Sequence, residues 1–326
     1  MVKLTSQEFY MATLRPTCFD EYIGQDRIKR SLQNSIDACQ IEDKPFPHVL
    51  LHGSSGHGKT TLAYVISSEV DRRIYNLLAP TLTSIDQIYN SINDMKRNEI
   101  LFIDEVHTVT APMQESLYTA MEDNVITVKD SIKVGRQTIH YAKEHKIKPF
   151  TCLVATTELG KLITPFRERF GYVLGLENYS EDHMKEIIKL NAEKEKITFT
   201  SEALRTLASR SRCVPRTANR LLERCRETAV VQNTNIITAS MVKSTLALLG
   251  IDNLGLTDYD RKILHILVTR YNGGPIGIKA LSIASDIDEE AIQKVYEPLL
   301  IEKELLERTP RGRVVTAKGV MHLENL

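Results

Sequence analysis

The residues from Gly53 to Thr60, Gly-Ser-Ser-Gly-His-Gly-Lys-Thr, satisfy G-x-x-x-x-G-K-[ST] in full. Glycines at these spacings let successive backbone N–H groups turn inward around a phosphate, and the helix expected to follow aims its positive end at the same place. On that reading Gly56, Gly58, Lys59, Thr60 and Thr61 contact a nucleotide. Lys59 reaches the β- and γ-phosphates and the Thr60 hydroxyl ligates Mg²⁺. The motif lies after an apolar run, His48–His52, and before a helical pattern, where this chemistry needs it. The ligand implied is ATP with Mg²⁺.

A second group of residues completes a hydrolytic site. The apolar segment Ile100-Leu101-Phe102-Ile103 ends in Asp104 and Glu105, and Asp104 follows Lys59 by 45 positions. An acidic pair at that spacing fits Asp104 holding Mg²⁺ and Glu105 polarising the water that attacks the γ-phosphate. Thr156 and Thr157 close another apolar run, Thr151–Ala155. Their hydroxyls are placed to face the crevice beyond the strand ends, with Thr157 the candidate γ-phosphate sensor, although β-branched residues also simply finish strands. Arg167 and Arg169 flank Glu168 in PFRERFG, a pattern that fits either a solvated helix end or a functional arginine.

The elements that position these groups read as alternating strands and helices. A helix is expected from Glu21 to about Gln40, on the recurrence of Ile28, Leu32 and Ile36. Strand His48–His52, helix Leu62–Val70, strand Ile74–Leu78, helix Ser84–Met95, strand Ile100–Ile103 and helix Pro112–Met121 follow, with further strands at Thr151–Ala155 and Val173–Leu176. Apolar strands separated by helices indicate a parallel sheet covered on both faces. From Tyr179 to Gly250 only helices are read, at Glu181–Lys196, Ser201–Ser209, Pro215–Gln232 and Ser240–Leu249. After the linker GIDNLG, Thr257-x-x-Asp260 resembles a capping box. It opens a third unit with helices Asp260–Arg270, Lys279–Ser285 and Glu289–Lys303, a short strand Ile276–Ile278 and a closing hairpin through Arg308–Thr316, the order of a winged helix.

Length and composition agree with two or three globular domains: 326 residues, 42% hydrophobic and 26% charged. Lys+Arg and Asp+Glu are both 42, so a nucleic-acid contact has to come from a local patch. Five cysteines, widely spaced and without a C-x-x-C pair, read as buried reduced thiols. No signal-peptide core and no apolar run long enough to span a membrane is found, which points to the cytoplasm.

Seven segments carry a family resemblance: GSSGHGKTT, LFIDEVH, VATTELG, PFRERFG, VPRTANRLL, GGPIGIKAL and YEPLLIEKELLERTPRGR. In this order they resemble the RuvB family of AAA+ ring motors over nearly the whole chain. The resemblance implies a large AAA+ α/β P-loop domain at 1–178, a small helical lid at 179–250 and a winged helix at 251–326. It implies a ring, hexameric in the family, in which ATP hydrolysis translocates duplex DNA and drives branch migration of Holliday junctions in recombination and repair, acting with a RuvA-type junction-binding protein. A RuvB-derived nucleotide switch or loader with a different partner is the alternative. Residue by residue, Arg169 matches a finger inserted into a neighbouring subunit's ATP site and Arg216 a lid arginine touching phosphate in its own subunit. Leu14 and Arg15 match the segment over the adenine and Tyr179 the tyrosine closing that pocket, while Leu14 and Tyr179 also read as packing residues.

Some positions depart from the family pattern. Ser54, Ser55 and His57 stand where Pro-Pro and Leu are usual, a change the backbone cradle tolerates. Glu158 stands where an arginine is common. The stretch Asn124–Pro149, in the family the site of a partner-docking hairpin, is basic here and lacks the GPAARS-like run. Arg308, Arg311 and Arg313 surround the predicted wing turn as either a solvated tip or, as the resemblance implies, a DNA phosphate contact.

Overall fold

The computed structural model describes residues 14–42, 44–134 and 137–325, so the reading of the N-terminus as free of a signal peptide falls mostly outside the described residues. In chain order the first strands are β1 (Val49–His52), β2 (Ile74–Leu78), β3 (Ile100–Asp104), β4 (Val125–Val134), β5 (Gln137–Lys146), β6 (Thr151–Thr156) and β7 (Tyr172–Gly175). The accompanying helices are α1 (Asp26–Glu42), α2 (Lys59–Glu69), α3 (Ile85–Asp94), α4 (Ala111–Asp123), α5 (Thr164–Arg167) and α6 (Glu181–Lys194). Five strands pair in parallel in the order β2-β3-β6-β1-β7. The first helix starts at Asp26 rather than Glu21, because Gly24 and Gln25 adopt left-handed backbone and halt any earlier helical turn.

Alternate residues of each strand bury on opposite faces of this sheet. Leu50, Leu101, Ile103, Cys152 and Val154 pack with Ile88 and Ile92 of α3 and Leu117 of α4. Val49, Leu51, Ile100, Phe102, Leu153 and Ala155 pack with Leu32 and Ile36 of α1 and Leu62 and Ile66 of α2. Double burial is why these strands read as unbroken apolar runs. Each large apolar side chain so buried contributes about 1.5–3 kcal/mol, which makes the carboxyl ends of β1, β3 and β6 a rigid edge on which to mount chemistry.

The basic stretch after α4, for which the sequence assigned no element, is an antiparallel hairpin, β4 paired with β5 from Val125↔Lys146 to Val134↔Gln137. Its base is set against the sheet domain by buried Ile126 and Val128, and by Tyr89 of α3, whose hydroxyl lies 3.1 Å from His145 Nδ1.

Contacts group the chain into two compact units. One runs to Asn191 and takes in Val214–Arg216; the other holds Ala192–Cys213 and the chain from Thr217 onward. Helices α7 (Ser201–Arg210), α8 (Pro215–Val231, whose first two residues group with the first unit) and α9 (Ala239–Leu248) carry one addition to the expected all-helical lid. Strands β8 (Thr198–Phe199) and β9 (Ile236–Ile237) pair in parallel, a two-residue contact too short to leave a period in the sequence.

The C-terminal part follows as α10 (Asp258–Tyr271), α11 (Ile278–Ser285), α12 (Glu289–Ala291), a π turn Ile292–Tyr296, α13 (Glu297–Glu302), β10 (Leu306–Thr309), β11 (Gly312–Val315) and α14 (Ala317–Glu324). The Thr257/Asp260 capping box forms, and Leu264, Leu267, Leu281, Ile292, Leu300 and Leu305 build the core of a winged helix with β10 and β11 as its wing. Two expectations change in detail. The strand expected at Ile276–Ile278 is a single bridge between Ile276 and Arg313, because α11 already starts at Ile278. The helix expected over Glu289–Lys303 is interrupted by the π turn just before Pro298, a residue that cannot donate a helical hydrogen bond.

Among the described residues no cysteine is bonded to another. Cys152 and Cys225 are buried, as expected for all five, whereas Cys18, Cys39 and Cys213 are only partly covered. Burial pushes the Cys225 thiol up to about 12.

Candidate functional site

The loop from Gly53 to Gly58 leaves β1 and turns directly into α2, whose first residue is Lys59. Gly56 (φ 79°) and Gly58 (φ 93°) adopt left-handed backbone, and a Cβ on Gly58 would lie 2.7 Å from the Tyr22 hydroxyl and one on Gly56 2.8 Å from Val214 Cγ1. Any side chain at these two positions would both strain the turn and collide with its neighbours. Lys59 bends back over the loop, its ammonium donating to the carbonyls of Gly53 (2.8 Å) and Ser54 (3.0 Å). Burial lowers its pKa, while Glu105 and Asp104 pull the other way.

At the neighbouring strand ends the acids and hydroxyls meet. The Thr60 hydroxyl donates to Asp104 Oδ2 at 2.7 Å, so the two groups expected to share Mg²⁺ are already within reach of one ion. Hard oxygen donors of this kind are what Mg²⁺ takes. Glu105 has a left-handed backbone (φ 52°, ψ 46°), and its Oε2 accepts from the Thr157 amide and hydroxyl, both at 3.2 Å. A carboxylate, a hydroxyl, a buried ammonium and the glycine loop thus converge at one sheet edge, the kinds of group that phosphoanhydride hydrolysis uses.

Residues 14–176 match the family described as the Holliday junction DNA helicase RuvB P-loop domain, 179–252 the RuvB AAA lid domain, and 253–324 the RuvB C-terminal winged helix domain. The chain belongs to the RuvB family. It is 41% identical to the Holliday junction branch migration complex subunit RuvB of Kosmotoga olearia, over 97% of this chain and 92% of that one. It is 39% identical to the protein of the same name from Lactobacillus gasseri, over 95% and 91%. Among solved structures it resembles the Thermotoga maritima RuvB Holliday junction branch migration motor, with TM-score 0.81, 37% identity, and 96% and 98% of the two chains covered. As a RuvB-family chain with an intact P-loop it is an AAA+ ATPase.

The remaining residues predicted from the RuvB resemblance fall in distinct places. Arg216 reaches the loop, its amide donating to the Gly56 carbonyl (3.4 Å) and its guanidinium 3.5 Å from Ser55 Oγ. Tyr179 is buried and its hydroxyl donates to Tyr22, which donates in turn to the Gly58 carbonyl, both at 3.3 Å. Burial raises both phenol pKa values. Leu14 is buried and Arg15 lies over the Tyr64 ring of α2 at 4.9 Å. Arg169 is held on α4, paired with Glu122 at 2.6 Å and stacked on Tyr118 at 4.8 Å, and neither of these partners lies on the phosphate loop of its own chain. Thr61 follows Thr60 in the first turn of α2, half-buried.

The wing needs one correction. Arg308 and Arg311 are exposed, but Arg313 is not at the surface: its guanidinium is buried against the Glu297 carboxylate of α13. Arg308 and Arg313 are cross-strand partners in the hairpin, but the backbone bridge between Ile276 and Arg313 brings position 313 against the rest of the domain, where Glu297 takes its guanidinium. Sequence reasoning also missed Tyr22, which reaches the loop only once distant segments are brought together, and His107, which the left-handed turn at Glu105 sets beside that carboxylate.

Proposed function

We propose that this chain is a ring-forming ATP-driven motor that moves duplex DNA at four-way junctions, in company with a RuvA-type junction-binding protein. What supports the reading is the unbroken series of RuvB family matches through P-loop, lid and winged helix, together with a hydrolytic set in place at the sheet edge. We read the large AAA+ domain as 1–178, the lid as 179–250 and the winged helix as 251–326.

Gly56, Gly58, Lys59, Thr60 and Thr61 would hold ATP through the amide cradle and the ammonium, with Leu14, Arg15 and Tyr179 around the base. Thr60 and Asp104 would hold Mg²⁺, which when bound spreads the charge of the phosphates. Glu105 orients and deprotonates water, Thr157 senses the terminal phosphate, and Arg216 links phosphate to the lid. Arg169, held on α4 in its own chain, serves a neighbour's site once a ring assembles, the basis for expecting a homo-oligomer, hexameric as in the family. Arg308 and Arg311 supply the DNA contact at the wing.

The test is an ATPase assay with and without four-way junction DNA, repeated with a RuvA-type protein. Stimulation by junction DNA supports the motor. ATPase activity indifferent to DNA under both conditions would move the chain to the nucleotide-switch or loader reading.

A further inference from the structure

Glu105, the expected activator of water, is approached from two sides. Thr157 donates to its Oε2 from the end of β6, and His107 Nδ1 lies 3.3 Å from the same oxygen. All three contacts fall on Oε2. The turn Val106–Thr108 fixes this arrangement: the Thr108 amide and hydroxyl both donate to the Glu105 carbonyl at 3.0 Å, holding residue 105 in its left-handed conformation with His107 beside it. His107 is well covered, with 13% of its side chain exposed.

The imidazole also lies 3.1 Å from the hydroxyl of Thr156, a side chain with no exposure, and that hydroxyl oxygen already accepts the Glu158 amide at 2.9 Å. With its proton on Nδ1 the imidazole faces both oxygens, hydrogen-bonded to the Thr156 hydroxyl and close beside Glu105 Oε2. Thr157 cannot give its one hydroxyl proton both to Glu105 and to a terminal phosphate. When Thr157 turns to phosphate, His107 is the side chain left to hold Oε2.

We propose that His107 is a positioning residue for ATP hydrolysis: it grips one oxygen of Glu105 so that the other faces the attacking water. This rests on the assignment of Glu105 as the water-activating group. A carboxylate free to rotate about its last torsion spends much of its time misdirected, and losses of about 10–100-fold accompany removal of comparable supporting hydrogen bonds in metal sites.

The test is a set of full-length variants assayed for steady-state hydrolysis and for binding of a fluorescent ATP analogue. His107→Leu should lower kcat about 10–100-fold while leaving KM, analogue affinity and thermal midpoint near wild type. His107→Asn, whose amide N–H can occupy the Nδ1 position, should recover most of that loss. In a Glu105→Gln background, His107→Leu should cause no further decrease. The inference is overturned if His107→Leu keeps wild-type kcat, if Asn fares no better than Leu, or if kcat and thermal midpoint fall together. Near-normal hydrolysis by Glu105→Gln alone would instead overturn the assignment of Glu105, which separates the two failures.

Discussion

Replacing Arg313 by alanine should unfold the winged helix rather than release it from DNA. The Arg313 and Glu297 side chains are 7% and 3% exposed, and the guanidinium meets both carboxylate oxygens. Deleting the cation leaves an unpaired carboxylate in the core, which costs about 3–5 kcal/mol. For a domain of this size that is on the order of 12 to 40 °C in melting temperature, a large part of its whole stability. Calorimetry on the full chain, with amide exchange read over α10 to α14, measures it. The double variant Arg313→Met with Glu297→Leu should regain most of the loss, since a buried pair exchanged for apolar groups of like size is often neutral. If Arg313→Ala melts within a degree or two of wild type and instead lowers the salt dependence of DNA binding, the inward placement of Arg313 is wrong.

Other expectations follow from the same geometry. Arg308→Ala with Arg311→Ala should leave folding and basal ATPase intact while reducing the slope of log affinity against log salt by roughly two units, about 0.9 per phosphate contact; an unchanged slope would remove the wing from the DNA contact. Gly58→Ala should weaken binding of a fluorescent ATP analogue at least about tenfold, because left-handed backbone costs a side chain about 1–2 kcal/mol before the clash with Tyr22; affinity within twofold of wild type would count against the cradle. Arg169→Ala should bind ATP and hydrolyse it poorly, and mixing it with Lys59→Ala subunits should restore some turnover, whereas no recovery under assembling conditions would count against a finger acting in a neighbour. Burial alone would raise the Asp252 carboxyl, but hydrogen bonds from the Leu256 amide, His322 and the Leu254 amide outweigh it and hold its pKa below the ordinary range. Its stabilising contribution is therefore present above about pH 4 and lost as pH falls through the lower folded-state value, so Asp252→Asn should be less stable at neutral pH and lose less on acidification, as melting curves across that range would show.

How much of this could be read from the chain depended on how local each signal was. Gly53–Thr60 and the acids after Ile103 were legible because strand burial on both faces writes a continuous apolar run, and the chemistry follows at its end. The β8–β9 pair left no trace, since two residues carry no period. The wing arginines were read as one patch because sequence spacing shows proximity along a hairpin but not that one of them meets a buried carboxylate 16 residues earlier. His107 sat in plain view in LFIDEVH, yet its relation to Glu105 depends on a left-handed turn and on Thr156 arriving from β6.

That ATP hydrolysis by this chain moves DNA is tested most directly by conversion of a labelled synthetic four-way junction into two duplexes, followed by gel with ATP, Mg²⁺ and a RuvA-type protein. Wild type should convert the junction and Lys59→Ala should not. A chimera carrying a typical RuvB hairpin in place of 124–149 tells partner mismatch from failure of the motor. If neither wild type nor chimera moves a junction while both hydrolyse ATP and bind DNA, the branch-migration account is contradicted.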